Sequence, residues 1–178
     1  MSDLILFRRE GEIERIMSSP YEDEGVLKEL IKLHPEILSS TALSNRMIFL
    51  AEEYPVESGS IDLLCLDDEG RIFMIETKLR KNQERRQIVA QLLDYASQLR
   101  KQSFDTFQRK IEEKNRGRTF RDILTDSVDD QYVEETLDKI RTNLCEGDFV
   151  LVAVMDEMEQ QLKELLTYLN EYMDICVF

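Results

Sequence analysis

A chain of 178 residues is about one domain long, and a domain of that size buries roughly 70% of the surface its unfolded form exposes. With 42% apolar and 34% charged residues, six Gly and three Pro, it is excluded from the collagen-like, low-complexity and loop-rich disulfide classes. No apolar run approaches the ~18 residues of a membrane span, and the start MSDLILFRREGE places acid before its short apolar stretch and Arg after it, the reverse of a secretory leader, so the expected setting is the cytoplasm with no membrane partner.

Lys and Arg number 23 against 37 Asp and Glu, a net charge of −14, which by itself argues against phosphate binding. The distribution is uneven. From Lys78 to Arg121 there are 13 basic and five acidic residues, +8, so the remainder carries 10 against 32, or −22. One segment can therefore face phosphates, or its charges can simply decorate solvated helices. Cys65, Cys145 and Cys176 are widely spaced, with no CxxC, and read as small buried apolar residues. His34, the single histidine, sits before Pro35 in phase with the apolar side of a helix and is expected to pack there.

In chain order, residues 4–16 read as two short strands around Glu10-Gly11. Glu22 to His34 reads as a helix with Leu27, Leu30 and Ile31 on one side, stopped by Pro35. Met47–Tyr54, Ile61–Leu66 and Arg71–Ile75 make a three-strand meander, with turn chemistry at Asp68-Glu69-Gly70. A helix from Asn82 or Gln83 to Arg100 follows, its stripe marked by Ile88, Val89, Leu92, Ala96 and Leu99. Phe104–Lys114 and Asp129–Leu144 read as helices of an insertion on the core. Phe149–Met155 is an apolar strand, Glu157–Tyr172 a helix, and Ile175–Phe178 a last strand whose abrupt apolar ending fits either a piece of a longer chain or the closing strand of a sheet. The expected organisation is one domain, 1–178: an arm or hairpin over 1–20, a motif-bearing core over 22–101, the insertion over 103–145 and a completing strand-helix-strand over 148–178.

The meander gathers charge where its pleat is otherwise apolar. A three-residue loop with Gly70 in the left-handed position makes Asp67 and Arg71 the closing pair, so opposed residue numbers sum to 138. Asp62 then lies across from Glu76, Cβ atoms about 4.5–5.5 Å apart, with Lys78 two residues on along the same face as Leu64, Leu66, Ile72 and Met74. The opposite face is Ile61, Leu63, Cys65, Phe73 and Ile75. Two carboxylates facing each other out of water persist only if one takes a proton or a positive charge sits between them. Lys78 supplies one such charge, and oxygen-only ligands point to Mg²⁺ or Mn²⁺ rather than zinc for the rest. The alternative is an ion network that only sets strand register. On the first helix Glu24 falls at the end of the apolar stripe and Glu29 on the far side; on the second, Gln91 and Tyr95 are four apart on the stripe's edge, within reach of the sheet.

The order helix, meander, helix, strand, carrying Asp62, then Glu76-Thr77-Lys78, then Gln91-Leu92-Leu93-Asp94-Tyr95, resembles the PD-(D/E)xK phosphodiesterase superfamily, and the last pentad, QxxxY, resembles its RecB-like branch. Ile61 stands where the motif has Pro. The resemblance implies an α/β restriction-endonuclease-like core, a mixed sheet flanked by helices. It further implies a divalent-metal-dependent nuclease with Mg²⁺ (or Mn²⁺) as cofactor. By it, Asp62, Glu76 and the Thr77 carbonyl are metal ligands, and Glu24 reaches the metal through water. Lys78 orients or helps deprotonate the attacking water and steadies the phosphate, Gln91 positions water or a phosphate oxygen, and Tyr95 supports Gln91 or touches the nucleic-acid backbone. Arg80, Lys81, Arg85 and Arg86, just after Lys78, would then meet a nucleic-acid backbone, DNA in the first instance. A module that keeps the fold but binds nucleic acid or protein without cutting is the alternative, and a homodimer or further domains of a longer chain stay open.

Overall fold

The structure, a computed structural model, describes residues 4–7, 13–16, 23–35, 38, 47–67, 69–79, 87–155 and 160–173. The expectations for Arg80, Lys81, Arg85, Arg86 and Cys176, and for a strand at 175–178, lie outside the described residues.

Strands β1 (Leu4–Phe7) and β2 (Ile13–Ile16) pair antiparallel, Leu4 opposite Ile16 and Phe7 opposite Ile13, which is the expected hairpin. Helix α1 (Glu24–Leu33) begins at Asp23, whose carboxylate accepts the Val26 N–H at 3.0 Å, and it buries Leu27 and Ile31. His34 does not follow them into the core. It occupies the C-cap, where the chain turns out of the helix ahead of Pro35, and its side chain is exposed.

Strands β3 (Met47–Val56), β4 (Gly59–Asp67), β5 (Ile72–Lys78) and β6 (Phe149–Met155) form one sheet in that order, the first three antiparallel and β6 parallel to β5. Between β5 and β6 come α2 (Gln87–Leu99), α3 (Phe104–Lys114), α4 (Phe120–Thr125) and α5 (Val133–Glu146), and α6 (Gln160–Met173) follows β6. This is the expected α/β architecture: helix, three-strand meander, helix, strand, in a mixed sheet with helices on both faces. One face is covered by α1, through Leu27 and Ile31 against Leu63, Cys65, Phe73 and Ile75. The other is covered by α2 to α6, with Ile88, Leu92, Phe107, Ile140 and Leu162 against Leu64, Leu66, Ile72 and Met74.

The stretch expected as one helix from Asp129 divides differently. A single 3₁₀ turn, Asp130–Tyr132, precedes α5, and α4 stands alone before it. Thr119 and Asp122 cap α4 reciprocally, a T-x-x-D pattern that announces a helix start. These helices reach the sheet through aromatic rings: Phe107 lies 5.8 Å from Tyr54 on β3 and 6.0 Å from Phe120. Cys65 is buried as expected, whereas Cys145, on the last turn of α5, is exposed.

Gly70 takes φ +75°, and Asp67 and Arg71 close the turn with a 3.2 Å backbone hydrogen bond. The pairs Leu66↔Ile72 to Leu63↔Ile75 all obey the expected register. Beyond Leu63 the pleat breaks. Ile61 and Leu63, two residues apart, pack into opposite cores, so Ile61 shares the face of Leu64 rather than that of Leu63. The cause lies in β3. Its register against β4 slips by one residue between Phe49 and Ala51, and Glu53, flanked by the pairs Tyr54↔Ile61 and Glu52↔Leu63, adopts a left-handed φ of +51°. Both strands roll together at Glu53 and Asp62.

Candidate active site

The rolled end of the meander collects the polar side chains. Asp62 is 9% exposed and Glu76 1%, so both carboxylates are out of bulk water. Where the β4–β5 ladder stops, side chains take over its hydrogen bonds. The Glu76 carboxylate accepts the Asp62 N–H at 3.2 Å, and Asp62 Oδ2 accepts the Thr77 N–H at 2.9 Å and the Thr77 hydroxyl at 2.8 Å. Asp62 and Glu76 are therefore brought together, but through the Asp62 backbone and not as a cross-strand pair of the 138 register, which ends at Leu63↔Ile75; the Asp62 carboxylate turns to Lys28 on α1.

Burial, and after it the charge of Asp62, pushes Glu76 up from 4.5 to about 8; the Asp62 N–H, Lys78 and Lys28 pull the other way. A buried acid held this way calls for added positive charge.

Helix α1 delivers two side chains one turn apart. Glu24 accepts the Leu79 N–H at 3.2 Å and pairs with Lys78 at 3.7 Å, which brings it to the site as its place on the stripe implied; Glu29 stays on the exposed side. Lys28, absent from the expected ligands, pairs directly with Asp62. Its Nζ lies 2.6 Å from Asp62 Oδ1 and 2.5 Å from Glu53 Oε1. Burial opposes its charge, but hydrogen bonds to Asp62 and Glu53 outweigh that and hold it above the ordinary lysine range. Burial likewise works against the Glu53 charge, and hydrogen bonds from Lys28 and Ser60 overcome it and lower its pKa. The signal for Lys28 was present: it is four residues after Glu24 and adjacent to buried Leu27, on the same face of the helix.

On the other face of the sheet, α2 carries Gln91 and Tyr95, joined to each other by a 2.8 Å bond from the Gln91 amide to the Tyr95 hydroxyl. Tyr95 is not at the edge of the apolar stripe but within it, 6% exposed. Its hydroxyl lies under the β3–β4 turn, where a Cβ on Gly59 would come within 2.7 Å of it; only glycine admits the ring there. Thr77 is fully buried and Lys78 is partly exposed at the strand end. Later in the basic segment, Arg109, Arg118 and Arg121 are paired with Glu113, Asp126 and Glu134. A cleft of about 500 Å³ opens beside the site along β3, lined by Lys32, Glu52, Glu53, Lys114 and Arg116, with Glu53 common to both.

No three His, Cys, Asp or Glu side chains among the described residues converge as a metal cage. The donors present still fit a hard divalent ion. Mg²⁺ keeps most of its waters and is held by one or two carboxylates, and here two buried acids lie close together, Glu76 raised by burial and by the charge of Asp62.

Residues 23–117 match the family model of the endonuclease NucS C-terminal domain. The chain belongs to this family. The NucS match runs from the cap of α1 past Tyr95, so Glu24, Lys28, Asp62, Glu76, Lys78 and Gln91 all fall within it. A solved EndoMS–dsDNA complex is similar with a TM-score of 0.38 and 18% identity, over 88% of this chain and 47% of that one, so the NucS-family chain spans about half the length of that relative. No curated protein is similar to it in sequence at a significant level. Among the described residues no helix is long and apolar enough to cross a membrane.

Proposed function

We propose that this NucS-family chain is a divalent-metal-dependent nuclease of the RecB-like branch that hydrolyses phosphodiester bonds, with DNA as the substrate. The observation that carries the reading is the meeting of Asp62 and Glu76 at the buried end of the meander, with Lys78 and Glu24 beside them. Asp62, Glu76 and the Thr77 carbonyl would hold Mg²⁺ or Mn²⁺, and Glu24 would reach it through water. A bound divalent cation supplies Lewis acidity, lowering the pKa of a water and offsetting charge on phosphoryl oxygens.

The protein's own side chains do the rest. Thr77 fixes the Asp62 carboxylate through two donors. Lys78, steadied by Glu24, aims its ammonium where a non-bridging phosphate oxygen gathers charge and where a water gives up its proton. Gln91, oriented by Tyr95 as the QxxxY pattern implies, positions that water or a phosphate oxygen. Arg80, Lys81, Arg85 and Arg86 follow Lys78 in the sequence and would meet the nucleic-acid backbone. Incubation with supercoiled plasmid, linear duplex and branched DNA in Mg²⁺ or Mn²⁺ tests the proposal. Cleavage that falls about 100-fold or more in Glu76→Ala and Lys78→Ala supports it; equal activity in wild type and variants points to contamination and refutes it.

The net charge of −14 favours a second reading, a non-catalytic interaction module on the same fold. Calorimetry separates the two: no Mn²⁺ heat above that of an Asp62→Ala/Glu76→Ala control leaves the module.

A further inference from the structure

Asp62 and Glu53 come from neighbouring strands, and each has one carboxylate oxygen committed elsewhere. Asp62 Oδ2 takes both donors of Thr77, and Glu53 Oε2 takes the Ser60 hydroxyl at 2.6 Å. Their remaining oxygens, Asp62 Oδ1 and Glu53 Oε1, converge on one point, occupied by Lys28 Nζ at 2.6 and 2.5 Å. These contacts are shorter than the ~2.7–2.9 Å usual for an ammonium and a carboxylate. Two oxygens from adjacent strands thus close on one cation, and phosphodiesterases that use paired metals carry a second cation close to the first. Here the cation is tethered to α1, on the face of the helix that also carries Leu27 and Ile31 into the core.

Charge balance agrees. Among the described residues, Asp62, Glu76 and Glu53 bring three negative charges to this corner, and Lys28 with one divalent ion would bring three positive ones. Glu24 pairs with Lys78 at the edge of this group. A second divalent ion would leave an excess of two positive charges among these groups.

We propose that Lys28 is a resident substitute for a second metal, so that the site takes a single divalent ion, on the Glu76 side of Asp62. The proposal rests on the metal-dependent reading above. It makes Lys28 a positioning residue: it acts through Asp62 and Glu53 and sets the number of ions without touching substrate.

Titration of the full chain with Mn²⁺, followed by calorimetry and by counting bound Mn²⁺ with paramagnetic resonance, tests it. Wild type is expected to bind one ion. Lys28→Met, which keeps the apolar stem and removes the charge, is expected to bind two, and Lys28→Met/Glu53→Gln to return to one. Lys28→Gln serves as a second uncharged variant, and circular dichroism reports folding of each. Two ions in wild type, or one in a folded uncharged variant, overturns the proposal while leaving the metal site in place. Should neither uncharged variant fold, the wild-type count alone decides, one ion supporting and two refuting. No ion bound by wild type overturns the metal-dependent reading itself.

Discussion

Replacing Glu76 by Gln separates proton uptake from shape. Glutamine keeps an oxygen to accept the Asp62 N–H that Glu76 now accepts at 3.2 Å, but it cannot titrate. In the folded chain Glu76 is raised from 4.5 to about 8, first by burial and then by Asp62, so between those values the folded state binds a proton that the unfolded state releases. The stabilisation linked to that proton is fully present below about pH 4.5 and is lost as pH rises through about 8. At about 1.4 kcal/mol per pH unit, the rise is worth roughly 5 kcal/mol. Glu76 is 1% exposed, so solvent screening takes little from this figure. Urea unfolding in EDTA, followed by circular dichroism from pH 4 to 9, should show wild-type stability falling relative to Glu76→Gln by several kcal/mol, with Mg²⁺ flattening the difference. Parallel curves for the two proteins across that range would refute the picture of Glu76 as a buried acid short of positive charge.

Three further outcomes are expected. Thr77→Val keeps the backbone donor to Asp62 but removes the hydroxyl bond of 2.8 Å; it should cost about 1.5–3 kcal/mol in urea melts and weaken Mn²⁺ binding roughly 10-fold by calorimetry. Phe107→Ala, at a fully buried ring between Tyr54 and Phe120, should cost about 3–5 kcal/mol while leaving the Mn²⁺ affinity of the folded protein unchanged. Gly70→Ala forces a Cβ onto φ +75° and to within 3.1 Å of the Lys139 Cβ, and should lower stability by at least about 1–2 kcal/mol in urea melts, with no change in the proposed cleavage per folded molecule.

How far the sequence was legible depended on whether the determinants were local. The β4–β5 register followed from one glycine: a left-handed residue at position 70 makes Asp67 and Arg71 the closing pair, and everything up to Leu63↔Ile75 is then counted off. That counting placed Asp62 near Glu76, which the Asp62 N–H to Glu76 carboxylate bond bears out, but the paired ladder stops one residue short of them. The counting misplaced Ile61 because the roll at Asp62 is caused by a register slip and a left-handed Glu53 on β3, a neighbouring strand whose irregularity carries no glycine to announce it. His34 was in phase with Leu27 and Ile31 but sits one residue past the helix, where phase no longer holds. Glu24 was found because an acid at the end of an apolar stripe looks out of place. Lys28 was missed because the acids of the pattern point to a metal and not to the cation that compensates them, although Glu24 and Lys28 lie on one helical face. Tyr95 was placed at the stripe's edge because the space that buries it is made by Gly59 on a different element.

The central claim is that Asp62 and Glu76 share one divalent ion. A crystal of the protein soaked in Mn²⁺ and measured at the manganese absorption edge tests this most directly. A single anomalous peak in contact with a carboxylate oxygen of each residue is the predicted result. Well-ordered density for both side chains with no anomalous peak between them at millimolar Mn²⁺ would contradict it.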